Sequence, residues 1–379
     1  MPLDEDWTVA LVRILHADTG DLHALASLGG RDPRHHYLGT DLTGVDVRGQ
    51  DLRGLDLPQL DISKVLWDAG TRFGEATGAY RASREALPAY APEPATCEGV
   101  GVHTGEVVRL TINPAPAGAG LVFVRTDVTD RDNRIPVTAE AVVDARLNTM
   151  IENAAGVRLS TIETLMASFC GLGVADAVIE VDGPELPALD GSARGFVEIL
   201  DQAGFRRRRG AVRSIEVLEP VRVTDGDASA ALMPCDRYEM RFEIDFPDTP
   251  IGHQVLDLVV DEESFRRELM AARAFGFAHE VESLRKAGLA RGASLENAVV
   301  IDGDQILNPG GLRMDREFVR SKAMNAIGDL YVLGAPLLGR YEGYRAGHAL
   351  NNLLVRQLLA SPQAWRWPES AGSAQSLTA

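Results

Sequence analysis

Glu163, Asp329 and His348 are among the residues of this chain whose types could carry acid–base chemistry. A carboxylate can take a proton from water, and an imidazole changes charge near neutral pH. Glu163 lies in Ser160-Thr-Ile-Glu-Thr-Leu-Met166, and Asp329 closes Phe318-Val-Arg-Ser-Lys-Ala-Met-Asn-Ala-Ile-Gly-Asp329. In the second segment Ser321, Asn325 and Asp329 fall at i, i+4 and i+8, which makes one polar stripe on a helix. Phe318, Met324, Ile327 and Tyr331 take the other faces and supply packing. Each feature also has a bland reading. Ser160-x-x-Glu163 reads as a capping box, the stripe as a solvated face, and His348 as a satisfied histidine at a helix start.

The elements that must position these residues follow from periodicity. Residues 107–112, 121–125 and 177–181 read as strands, as do 213–224, 228–233, 238–245 and 298–301. Helical spacing is expected over 160–171, 192–203, 262–272, 280–288, 316–333 and 343–360. Strand runs followed by helices imply an α+β architecture in two similar sheet-and-helix halves, 96–212 and 213–367. Residues 1–68 precede them. There, 6–28 reads as one or two short helices stopped by Gly29-Gly30. Asp41, Asp46, Asp51, Asp56 and Asp61 then recur every five residues, each followed by an aliphatic residue. That period fits neither helix nor flat strand and resembles a pentapeptide-repeat β-solenoid, too short to bury a core without caps. The Gly-, Ala- and Pro-rich stretch 69–95 reads as a linker, and 368–379 as a disordered tail.

Composition narrows the function classes. A net charge of −17 argues against a general nucleic-acid binder, which needs a positive surface. The basic run Arg206–Arg209 reads as a solvated link; its sharper reading is a phosphate or peripheral contact with an anionic membrane. No stretch reaches the ~20 apolar residues of a membrane span, and the acidic N-terminus has no signal-type core. Cys97, Cys170 and Cys235 are widely spaced, which suits a reducing, cytoplasmic location and gives no Cys-x-x-Cys pattern.

Several ordered segments resemble the UDP-3-O-acyl-N-acetylglucosamine deacetylase family, zinc amidohydrolases of lipid A biosynthesis. They are Gly99-Val-Gly-Val-His-Thr-Gly105, the two segments above, Glu180 through Ala193, Arg273-Ala-Phe-Gly-Phe277 and Gly347-His-Ala-Leu-Asn-Asn352. The resemblance spans residues 96–367 and excludes the N-terminal segment. It implies two domains, each a sheet packed on two helices, with the active site between them. It also implies a general-base role for Glu163, an oxyanion or leaving-group role for His348 oriented by Asp329, and substrate contacts for Lys322, His103 and Phe275. The bland alternatives are a surface lysine and a turn histidine.

The same resemblance places zinc ligands at Thr164, Ser321 and Asn325, where the family has His, His and Asp. Here all three are neutral. Ala274 stands where the family has a threonine, and Asn148 where it usually has a cysteine. Hydroxyl and amide groups are poor ligands for Zn²⁺. Without the metal, Glu163 would have to deprotonate a water of pKa about 15.7 unaided. No cofactor is therefore expected. The leading expectation is a catalytically silent homologue that binds a UDP-acylglucosamine-like ligand or a lipid A pathway protein. The alternatives are an active deacetylase or related amidohydrolase with altered metal chemistry, and a scaffold acting through the N-terminal repeat.

Overall fold

A computed structural model describes residues 21–22, 24–25, 45–47, 50–52, 55, 72–73, 93–116, 118–204 and 214–367. Near the N-terminus, β1 (Asp51–Leu52) pairs in parallel with β2 (Arg72–Phe73), so the stretch read as a linker contributes a short strand. Leu22, Val47, Leu52 and Leu55 are buried together with Ala115 and Val178. The other repeat positions (Asp41, Asp56 and Asp61 among them), the basic run 206–209 and the 368–379 tail lie outside the described residues.

The first half holds β3 (Ala95–Val100), β4 (Val107–Pro114), β5 (Leu121–Arg125) and β6 (Arg134–Pro136). A small antiparallel sheet follows: β7 (Val142–Asp144), β8 (Met150–Glu152) and β9 (Arg158–Leu159). Then come helix α1 (Glu163–Leu172), β10 (Ala177–Val181) and α2 (Arg194–Gln202). The main sheet has the order β3-β4-β10-β5-β6. Alternation along β10 explains how it is covered. Ala177, Ile179 and Val181 point into the main core, while Val178 points to the opposite face, where the N-terminal residues lie.

The second half holds β11 (Ile215–Val217), β12 (Val221–Asp225), β13 (Ala228–Met233), β14 (Tyr238–Phe246) and β15 (Gly252–Val259). Next are β16 (Phe275–Phe277), α3 (Ala278–Lys286), β17 (Val299–Asp302), β18 (Gln305–Ile306) and α4 (Glu317–Leu330). β19 (Leu337–Tyr344), α5 (His348–Leu359) and β20 (Trp365–Arg366) complete it. Its main sheet has seven strands, and β19 pairs with β11, β13 and β14. Helix α4 packs on β14 and β15, α5 on β12 and β13, and α1 against α4. The α+β class is as expected. One continuous apolar cluster runs through both halves, from Ile112 and Phe123 to Phe242 and Leu354.

Three local expectations need correction. The segment 213–224 is two strands, interrupted at Leu218–Pro220, where proline has no N–H to give a ladder. The segment 262–272 is one helical turn, Glu262–Ser264, followed by a π-helical stretch, Phe265–Leu269. Residues 343–344 belong to a strand; the helix starts at His348. Strand β15 was also missing from the expected set.

Candidate functional site

The site forms where α1 meets α4. Gly328 of α4 approaches α1 so closely that a Cβ there would stand 1.8 Å from the Glu163 carbonyl oxygen. Only a residue without a side chain permits that crossing. The crossing brings the start of α1 to the polar stripe of α4, and Glu163, Thr164, Ser321 and Asn325 all line one cavity of about 240 Å³. His103, Phe275, Lys322 and His348 line the same cavity. The stripe is therefore not a solvated face: Ser321 is 1% exposed and Asp329 is fully buried.

The chain enters α1 differently from the expected capping box. Ile162 is the N-cap, and no side chain caps the helix. Thr161 takes φ 62°, in the left-handed region, and its hydroxyl donates to Glu185 Oε1 at 2.9 Å. Ser160 is bridged to Glu185, and its hydroxyl donates to the Pro184 carbonyl at 3.3 Å. That sharp turn takes Ser160 out of reach of the helix's first N–H groups. Glu163 is left free to face the site, where its Oε2 accepts from the Thr149 N–H at 3.0 Å.

Asp329 orients His348 directly. Both carboxylate oxygens lie 3.0 Å from His348 Nδ1. The same carboxylate accepts from the Thr149 hydroxyl at 2.7 Å and from Asn351 Nδ2 at 2.8 Å. Asn351 in turn accepts from the Tyr341 hydroxyl at 2.6 Å. His348 opens α5 behind Gly347 as a helix-start residue, and it also reaches the cavity. Lys322 is partly buried, with Nζ 5.3 Å from the centre of the Phe275 ring, so it is not a surface lysine. Phe275 is held edge-on by Phe318 at 5.0 Å. His103 does sit in a turn, and its N–H donates to Glu185 Oε1 at 2.9 Å; its Nδ1 is buried without a partner.

Burial pushes the Glu163 carboxyl above its usual range; His348 opposes that shift and Asp329 adds to it. Burial alone would lower the His348 imidazole, but the Asp329 carboxylate more than offsets this and raises it. Burial lowers the Lys322 ammonium despite Asp329 and Glu163 nearby. The cluster thus contains a base candidate inclined to neutrality beside an imidazole inclined to charge.

The loop carrying Ala274 and Phe275 hangs from a buried ion pair. Arg273 Nε donates to Glu317 Oε1 at 2.8 Å, and the Arg273 N–H donates to the same oxygen at 3.0 Å. Burial would raise the Glu317 carboxyl, but Arg273 and two backbone donors hold it below its ordinary value. Arg273→Met should destabilise the protein by about 3–5 kcal/mol, because Glu317 stays buried without its partner. The lowered carboxyl stabilises the fold above its unfolded pKa and loses that contribution as pH falls through the folded value. Urea unfolding of both proteins should therefore show the gap narrowing as the pH drops below the carboxylate range.

Sequence reasoning missed Thr149, Glu185 and Asn351, which hold the site without lining its chemistry. Glu185 accepts from Thr161, His103 and Thr104. Its signal was an acidic residue inside an apolar, proline-flanked run. The donor set at Thr164, Ser321 and Asn325 does not fit zinc, since none offers an imidazole, thiolate or carboxylate. Among the described residues, no group of three or more His, Cys, Asp or Glu side chains is arranged to hold a metal ion. Nor is any described helix long and apolar enough to cross a membrane.

The family model described as UDP-3-O-acyl N-acetylglycosamine deacetylase matches residues 92–360. A UDP-3-O-acyl-N-acetylglucosamine deacetylase of Phenylobacterium zucineum is 60% identical over 273 residues, covering 72% of this chain and 93% of that protein. The enzymes of that name from Shewanella sp. W3-18-1 and Shewanella oneidensis are each 46% identical over 269 residues, covering 70% of this chain and 88% of theirs. With the match running through both halves and every segment of the cavity, this chain belongs to the UDP-3-O-acyl-N-acetylglucosamine deacetylase family.

Proposed function

We propose that this chain binds a UDP-3-O-acyl-N-acetylglucosamine-type ligand in the α1–α4 cavity and does not carry out zinc-dependent deacetylation. The observation that carries this is the pairing of an intact frame with a neutral donor set. Lys322, Phe275, His103 and His348 line the cavity, with Asp329 bonded to His348 from behind, while Thr164, Ser321 and Asn325 offer no metal donor. Amide hydrolysis in this setting needs a Lewis acid and an acidified water, and a Glu163 inclined to neutrality is a poor substitute. Purified protein should bind the N-acetylated sugar nucleotide, hold no stoichiometric zinc by metal analysis, and release no acetate. Stoichiometric zinc together with turnover would sink the proposal.

A second reading, deacetylation by altered chemistry, is favoured by the names of the relatives and by the retained Glu163, Asp329 and His348. On that reading, Glu163→Gln and His348→Ala each abolish acetate release. If the unmodified protein releases none under any metal supplement, this second reading fails.

A further inference from the structure

The first turn of α1 has two ways to satisfy its backbone. Ser160 and Glu163 have the spacing of a capping box, in which the hydroxyl accepts from the Glu163 N–H and the carboxylate from the Ser160 N–H. The structure holds the other form, with the Glu163 carboxylate on the Thr149 N–H and lining the cavity. One residue separates the two. Ile162 already has helical angles, φ −82° and ψ −18°, whereas Thr161 has φ 62°. Moving Thr161 alone to helical angles would carry the helix back to Ser160 and complete the box. A β-branched residue in the left-handed region is strained, and such strain persists only where the surroundings over-determine it.

Glu185 is what over-determines it. Its side chain is fully buried. Oε1 accepts from the Thr161 hydroxyl and from the His103 N–H, each at 2.9 Å. Oε2 accepts from the Thr104 N–H at 2.8 Å and from the Thr104 hydroxyl at 2.9 Å. The chain beside Glu185 holds Ser160 as well: the Ser160 N–H, which the capping box would need, donates to the Pro184 carbonyl at 3.0 Å. Gly101 passes so close that a Cβ there would stand 2.5 Å from Oε2. We propose that Glu185 is the positioning residue of the cavity: it selects the site-facing form of α1 over the capping box, and the same carboxylate fixes the His103 turn. Two parts of the cavity wall, Val102 with His103 and Thr161 with Glu163 and Thr164, thus hang from one buried group. Without it, Thr161 relaxes, Ser160 caps the helix, and Glu163 turns back from Thr149 and the cavity. The arrangement does not depend on what the cavity binds.

The test follows amide hydrogen exchange by NMR in the ligand-free, full-length protein. The Thr149 N–H reports on Glu163, and the His103 and Thr104 N–H groups report on Glu185. Glu185→Gln keeps the shape but puts an amide donor where a second acceptor stood. Exchange at Thr149, His103 and Thr104 should quicken by ~10-fold or more, while Phe169 and Leu172 further along α1 keep their protection. Adding Thr161→Gly should restore slow exchange at Thr149 but not at His103 or Thr104, because glycine takes a positive φ without strain. Thr161→Val removes only the hydroxyl; it should quicken exchange at Thr149 alone, and it decides the matter if Glu185→Gln does not fold. Unchanged exchange at Thr149 in either single variant would overturn the proposal. Uniform loss of protection along α1 would overturn it too, since Glu185 would then merely support the fold, and so would failure of Thr161→Gly to rescue Thr149.

Discussion

Changing Thr164→His, Ser321→His and Asn325→Asp together, with Ala274→Thr, should yield a protein that binds stoichiometric zinc and releases acetate from UDP-3-O-acyl-N-acetylglucosamine. Turnover should rise by at least ~10³-fold over the unmodified chain, the scale that positioned acid–base catalysis reaches once a metal-acidified water is available. The frame for this is already in place. The α1–α4 crossing sets the three positions on one cavity, and Asp329 already holds His348 toward it. Asn325→Asp is nearly isosteric, while the two histidines would extend into the cavity from half-buried and buried backbone positions. Metal analysis after dialysis and an acetate assay check the result. Failure of the quadruple variant to hold zinc, though folded, would mean that the backbone frame as well as the side chains has departed from the family's.

Gly328→Ala should be among the most damaging single changes in the chain. The new Cβ would fall 1.8 Å from the Glu163 carbonyl oxygen and 2.7 Å from its carbon, and both atoms are backbone, so α1 and α4 must separate. Overpacking of this kind costs about 3 kcal/mol, which at an unfolding entropy of ~2.1 cal/mol/K per residue lowers Tm by roughly 4 °C in a chain of 379 residues. The separation also moves Glu163 and Thr164 away from Ser321 and Asn325, so affinity for the N-acetylated ligand should fall by more than tenfold even in the folded fraction. Thermal unfolding and titration below the transition check both effects. A variant with unchanged Tm would show that the two helices are not locked at this point. An ordinary surface change such as Lys286→Ala on α3 should cost far less, since that side chain is 74% exposed.

How much of this was legible beforehand depended on whether a residue's neighbours were local. Helix α4 was readable because Phe318, Met324 and Ile327 recur at helical spacing, and its polar stripe followed from the same count. Whether that stripe met water or a cavity was not readable, because the answer lies with α1, more than a hundred residues earlier. Strand β19 escaped for a related reason. Gly339 and Gly343 occupy inward positions in Leu337–Tyr344 and interrupt the apolar alternation. Gly339 is needed because a Cβ there would meet the Val217 side chain at 2.7 Å, a contact made across the sheet. The supposed capping box shows the reverse error. Ser160 and Glu163 have the right spacing, but Glu185, reached through the fold, draws the turn at Ser160–Thr161 into another geometry.

By itself the sequence determined the α+β class, the helices that carry the site and the family to which residues 92–360 belong. It also determined that Thr164, Ser321 and Asn325 offer no zinc donor, because that is a matter of side-chain chemistry alone. Tertiary structure decided which polar residues satisfy one another and which line the cavity. Asp329, Thr149 and Asn351 satisfy one another from three separate segments, whereas Asn148, Thr164, Ser321 and Asn325 meet only at the cavity. Hydrogen-bond satisfaction is a property of distances between remote segments, and spacing along the chain cannot supply it.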